Sequence, residues 1–300
     1  METNRDRIVE QAVLGEVAPA TRRKDQHWRV GADGRPAALP GSGAITYNVR
    51  VGDSALDWEA DHVEPGASVR AEKENANTAL NLLACVGNTA VVVSGDAKGA
   101  RGAVTGKHGG IEHVLVDFAR DDLERLAIGD KVQVRARGLG LRLLGAPDVH
   151  VMNTDPDLLE AMGLSLEDGR VRVPVTHRVP AAIMGSGIGH ADVFTGDYDI
   201  QLFDPAVVEK HGLRSLRLGD VVAVLDADHT YGRIYKGGAV SVGVVVHSRC
   251  TQAGHGPGLT TLLTSAEGLI LPQECAGANI AEYLEIGTAR GREPATDEAT

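Results

Sequence analysis

Aromatic residues are scarce in this 300-residue chain, which has two Trp, five Tyr and three Phe. Any core must therefore be filled by Val, Leu, Ile and Ala. Cysteine is scarcer still. Cys85, Cys250 and Cys275 cannot make a disulfide framework and form no C-x-x-C pair, which points to a reducing compartment. No apolar run approaches the ~20 residues of a membrane span. The charged start, Met1 to Glu10, does not read as a secretory signal. Positive charge is also short, with 30 Lys and Arg against 41 Asp and Glu for a formal net charge of −11. Such a balance gives no broad attraction to nucleic acid or anionic membrane. A soluble, cytoplasmic protein is expected.

Glycine is in excess, at 37 of 300 residues against a usual level of roughly 7%. The hydrophobic fraction of 43% and charged fraction of 24% are those of a globular chain, so the glycines read as turns and close approaches, not disorder. The expected fold is mainly β (α+β): two barrel-like or sandwich-like halves with few short helices. Strands are expected at Ala90–Val93, Ala103–Thr105, Ile111–Asp117, Val132–Ala136, Val149–Met152, Val171–Thr176, Tyr198–Phe203, Val221–Leu225 and Ala239–His247. Ala76, Ala79, Leu80 and Leu83 have helical spacing. A second, short helix opens at Asp155-Pro156 and closes at Gly163. Residues 1–40 read as an N-terminal arm, 41–152 and 153–287 as two β-rich domains, and 288–300 as a disordered tail. Leu123, Leu126, Ile128, Gly129 and Asp130 recur at identical spacing as Leu213, Leu216, Leu218, Gly219 and Asp220. Leu-x-x-Gly-Asp is a common entry turn into a strand, and related halves would also produce it.

In the first half, Val91-Val-Val-Ser-Gly-Asp-Ala-Lys-Gly-Ala-Arg-Gly-Ala-Val-Thr105 resembles a KOW motif, the strand–turn–strand unit of small barrels. That resemblance implies RNA or protein binding. Its basic supply here is only Lys98, Arg101 and Lys107, with no stacking aromatics nearby, so a small barrel used as scaffold is the favoured reading.

The chemistry gathers in the second half, in Gly185-Ser-Gly-Ile-Gly-His190-Ala-Asp192-Val-Phe-Thr-Gly-Asp197-Tyr-Asp199-Ile-Gln201. If Gly189–Val193 is extended, His190 and Asp192 point to one side and begin a two-His-one-carboxylate metal site. His229 and His247, each at the end of an apolar run, compete to complete it. Asp199 and Lys236 are the expected catalytic residues. Lys107, His108, Asp197 and His255 are expected to bind substrate, Lys107 and His108 from the glycine-flanked Gly106–Gly110 run. Composition does not separate the metal: Fe(II) leads, with Zn(II) and Mn(II) open.

Gly87-Asn88 with Val91-Val-Val-Ser-Gly-Asp-Ala-Lys-Gly99, Thr105-Gly-Lys-His-Gly-Gly110, the Gly185–Gln201 run and Ala253-Gly-His-Gly-Pro-Gly258 together resemble the domain-of-unknown-function family numbered 4438, over residues 40–285. The resemblance implies a mononuclear non-heme iron, dioxygen-dependent enzyme that rearranges a hydroxypyridine C-nucleoside to a 1,3-oxazine, as in oxazinomycin-type antibiotic biosynthesis. Its partners would be dioxygen and a heteroaromatic nucleoside, with a homo-oligomer left open. The second-half loops are also similar to acetamidase/formamidase-type β proteins, which implies metal-assisted amide or imide hydrolysis instead.

Overall fold

The computed structural model describes residues 1–21 and 28–291. Lys131–Ala136 turns Lys131, Gln133 and Arg135 outward and buries Val132, Val134 and Ala136, the period of a strand with one dry face. Six strands close into an antiparallel barrel around that dry face: β1 (Gln11–Val17), β2 (Gly66–Arg70), β3 (Thr89–Val92), β4 (Arg101–His108), β5 (His113–Asp117) and β6 (Lys131–Ala136). Neighbours run β1-β6-β3-β4-β5-β2, and β2 pairs with β1 again to close the ring. Val69, Val92, Val104, Val116, Val132 and Val134 fill it, with Phe118 the single aromatic in that cluster. The KOW-like segment is β3, its turn and the start of β4. The chain is mainly β.

Eight further strands follow: β7 (His150–Val151), β8 (Ser165–Glu167), β9 (Arg170–Val175), β10 (His177–Pro180), β11 (Val221–Asp228), β12 (Ile234–Val245), β13 (Leu259–Ser265) and β14 (Ile270–Glu274). They make an open sheet ordered β7-β13-β12-β11-β10 and a smaller one ordered β8-β9-β14, so the second half is not a barrel. Helices are few and short: α1 (Glu74–Leu83), α2 (Arg120–Leu123), α3 (Pro156–Ala161), α4 (Pro205–Lys210) and α5 (Ile280–Leu284). The Asp155 side chain caps α3 by accepting from the backbone N–H of Asp157, as its sequence predicts. No helix is long and apolar enough to cross a membrane among the described residues.

Four expectations need correction. Residues 1–40 are not merely an arm, because β1 supplies a barrel strand hydrogen-bonded on both edges. The proposed division at residue 152 does not separate two cores. β7 pairs with β13, and one apolar cluster joins Val86 and Leu115 to Val173, Val242 and Leu262. Tyr198–Phe203 is not a strand. It makes only isolated bridges, Asp199 to Gly258 and Ile200 to Met184, where glycine-rich loops cross. Thr288 is not the start of a free tail, since its N–H donates to Val51 O at 2.9 Å and Arg290 pairs with Asp117. Residues 292–300 of that expected tail lie outside the described residues.

The Leu-x-x-Gly-Asp echo is one turn used twice. Asp130 Oδ2 accepts from Ala127 N–H at 2.9 Å before β6, and Asp220 Oδ2 accepts from Arg217 N–H at 2.8 Å before β11. Asp220 is fully buried and also accepts from Asn279 Nδ2 at 2.8 Å. Asp220→Ala orphans both donors and is expected to cost about 1–3 kcal/mol. Chemical denaturation should show a smaller loss for Asp130→Ala, whose second partner is Ser94 Oγ at 3.3 Å.

Candidate metal centre

Three buried imidazoles meet where the barrel mouth faces the end of the second sheet. His108 is the last residue of β4, His247 follows β12 by two residues, and His62 sits in the loop leading to β2 with a left-handed φ of 58°. Their ring centroids lie 4.3 Å (His108–His247), 4.9 Å (His62–His247) and 5.5 Å (His62–His108) apart. One nitrogen of each lies within 4.8 Å of the other two.

The outer nitrogens are held. His108 Nδ1 bonds to Glu64, and Glu64 also accepts from Gly43 N–H at 2.8 Å, from His113 Nδ1 at 3.0 Å and from the Ser68 hydroxyl. Burial alone would raise the Glu64 pKa, but His108 and His113 outweigh it and hold the carboxyl well below its ordinary range. His247 Nδ1 donates to Ser248 O at 2.9 Å, and in the adjoining loop His255 Nδ1 donates to Ala253 O at 3.1 Å. His62 Nδ1 lies 3.2 Å from both Asp61 Oδ1 and Arg29 Nη1. In His108, His247 and His255 this anchoring leaves Nε2 as the nitrogen that would face a cation, the arrangement that outer contacts impose on metal-ligating histidines. Glu64→Gln should keep the shape but lose the charge behind His108, weakening metal affinity roughly 10–100-fold. Titration of the metal-free protein with Zn(II) checks this.

Two carboxylates complete the cluster. Asp197 Oδ2 lies 2.7 Å from His247 Nε2, and its Oδ1 accepts from Gly109 N–H at 2.8 Å. Asp199 places Oδ1 3.7 Å from His247 Nε2 and Oδ2 4.0 Å from His62 Nε2. Burial disfavours the charged His247, but Asp197 and Asp199 overcome it and hold the imidazole pKa well above its usual value. His247 therefore carries a proton toward Asp197, in the place a divalent cation would take. Gly258 makes this approach possible, since a Cβ there would sit 1.8 Å from Asp197 Oδ2 and 2.5 Å from His247 Nε2. The donor set of imidazole nitrogens and carboxylate oxygens fits a single divalent ion such as Fe(II), Mn(II) or Zn(II), held by His62, His108 and His247 with Asp197 or Asp199. A polar cavity of about 480 Å³ opens beside it, lined by His190, His255, Ser186, Arg29 and Arg233 among others.

Of the residues singled out from sequence, His247, Asp197, Asp199, His108 and His255 come together here. His190 lines the cavity, but the Gly189–Val193 run is a bent loop and not a strand. Its Nδ1 folds back onto the backbone of Asp192 (3.1 Å to O, 3.3 Å to N), and Asp192 Oδ1 accepts from Phe194 N–H at 3.0 Å. His229 is buried elsewhere, with Nδ1 2.8 Å from Thr261 Oγ1 and its ring edge-on to Tyr198, and burial pushes its pKa down to about 3. His190, Asp192 and His229 belong to none of the ligand groupings among the described residues. Lys107 is fully buried behind the centre and donates to Asn153 Oδ1 at 2.7 Å and Phe194 O at 2.6 Å, its ammonium pushed down by burial to about 8. Lys236 stands on the surface of β12, paired with Glu267 at 3.1 Å and away from the cavity lining. Sequence reasoning missed His62 and Glu64, whose only signal was the polar run Asp61-His-Val-Glu64 just ahead of a barrel strand.

The fold and cluster thus define a β-barrel protein with a buried histidine–carboxylate centre. The family models for the N-terminal and C-terminal domains of DUF4438, a domain of unknown function, match residues 28–160 and 161–284, and the chain belongs to that family. It is similar to a solved structure described as the crystal structure of TM1086, at 50% identity and a TM-score of 0.91, over 95% of this chain and 99% of that one. No curated protein matches the chain.

Proposed function

We propose that the protein is a mononuclear non-heme iron enzyme that uses dioxygen to rearrange a small heteroaromatic substrate. The specific reaction is that of oxazinomycin-type biosynthesis, in which a pyridine-type C-nucleoside becomes a 1,3-oxazine. The observation that carries this reading is the convergence of His62, His108 and His247 on one point beside Asp197 and Asp199. Bound Fe(II) would activate dioxygen, while the electron-rich heteroaromatic ring would be the source of the net electrons. His62, His108 and His247 would hold it, and Glu64 fixes the ring of His108. Asp197 and Asp199 offset the cationic charge of the centre. The loops carrying Gly187 and His255 wall the cavity beside the centre.

The test begins with metal-free protein reconstituted anaerobically with Fe(II), Zn(II) or Mn(II). The expected result is close to one equivalent bound, and dioxygen consumption with cyanide release from a hydroxypyridine C-nucleoside only in the Fe(II) form. A small fraction of an equivalent with every metal would overturn the reading. Turnover of an amide by the loaded protein without dioxygen would replace it with the hydrolase.

A further inference from the structure

Arg233 has no place in the chemistry of the cluster, yet it is the largest fully buried side chain among the described residues and lines the cavity. Among the described residues its guanidinium makes a single hydrogen bond, from Nη2 to Thr195 O at 3.1 Å. Its Nε meets no acceptor. Among the described residues no carboxylate oxygen comes within 4.0 Å of it, although Asp197, Asp192 and Asp199 all act on it through space. A guanidinium has five N–H donors in a planar fork, and leaving most of them unmet under burial is costly. The backbone holds the residue in place, with Arg233 N–H donating to His190 O at 3.1 Å and Arg233 O accepting from Gly189 N–H at 2.7 Å. Facing it is Gly187, at a left-handed φ of 92°, where a Cβ would lie 3.5 Å from Arg233 Nη1. The loop packs against the guanidinium, which borders the cavity with Gly187, Thr195 and Asp197.

We infer that Arg233 is the anion-recognition group of this cavity, and that the ligand carries a planar, carboxylate-type anionic group. The group is held by the guanidinium while the rest of the molecule reaches toward the histidine cluster. A carboxylate supplies two acceptors in the plane and spacing of the fork, which a neutral amide of the same shape does not. The inference rests on reading this cavity as the substrate pocket of the proposed enzyme, and it requires the heteroaromatic substrate to carry a carboxylate in addition to its hydroxyl group. It is testable without the metal.

The experiment is calorimetric titration of the metal-free and the Zn(II)-loaded protein with four probes: benzoate and nicotinate, and their neutral isosteres benzamide and nicotinamide. Both acids are expected to bind at least about tenfold more tightly than their amides, a fold-change typical of a charge-assisted pair. Arg233→Met should abolish that preference while its Zn(II) stoichiometry and thermal midpoint stay close to the unaltered protein. Arg233→Lys should restore part of it. No saturable binding of either acid, or an acid preference that survives Arg233→Met, would overturn the inference. If Arg233→Met fails to fold, loss of the preference in Arg233→Gln and its partial return in Arg233→Lys decide the matter. Failure to bind any metal overturns the enzyme reading alone and leaves the acid preference of the metal-free protein to stand or fall by itself.

Discussion

His247→Ala is expected to leave the protein with less than about a tenth of the metal bound by the unaltered chain at equal metal concentration. Loss of even an outer contact to a ligand costs roughly 10–100-fold in affinity, and His247 would be a direct ligand. The same substitution should destabilise the metal-free protein by about 3–5 kcal/mol, because it leaves the buried Asp197 carboxylate without its cationic partner. His229→Ala provides the contrast. His229 also stands at the end of an apolar strand, but its ring is tied to Thr261 and Tyr198 outside the cluster. Its removal should cost stability and leave metal stoichiometry untouched. Elemental analysis of the two variants, with urea denaturation of each, separates the residues. Equal metal loss in both would show that the centre has been misplaced.

The second large effect is expected from a single methyl group. In Gly258→Ala the new Cβ collides with Asp197 Oδ2 at 1.8 Å and His247 Nε2 at 2.5 Å. Neither can withdraw easily, since Asp197 Oδ1 is tied to Gly109 N–H and His247 Nδ1 to Ser248 O. Overpacking of this kind costs about 1–3 kcal/mol in general. Here it also forces apart a carboxylate and an imidazole that belong to one donor set. Zn(II) affinity should fall by at least about tenfold, as for the loss of an outer contact. Gly237→Ala, whose added methyl would meet nothing within 4 Å, should behave as the unaltered protein. An unchanged affinity in Gly258→Ala would mean that Asp197 and His247 do not act together.

Much of the scaffold was legible because local chemistry and tertiary structure agree. Val132, Val134 and Ala136 alternate with charged residues and form a barrel strand. Asp155-Pro156 opens a helix, and the Leu-x-x-Gly-Asp repeat marks a turn that two aspartates close in the same way. β1 was hidden because Gln11, Gly15 and Glu16 weaken its apolar pattern. Its place depends on a glycine packed close to Val69 and Leu80, which no local rule reveals. The site was half legible. His247 stood out as a polar residue after β-branched ones, and Asp197 and Asp199 stood among glycines. His190 and Asp192 misled because alternation was assumed where Asp192 closes a side-chain-to-backbone turn with Phe194. His62 left only the short run Asp61-His-Val-Glu64 as a mark, since its left-handed backbone and its partners across the fold have no signature in neighbouring residues.

The interleaving of the two halves bears on how the protein matures. His62 and His108 belong to the part of the chain made first, whereas Asp197, Asp199 and His247 emerge from the ribosome much later. The shared apolar cluster packs the two parts of the chain together. A chain ending after the barrel would supply His62 and His108, the latter tied to Glu64, but neither His247 nor the two carboxylates of the cluster. A cation held by this donor set would therefore require both parts of the chain.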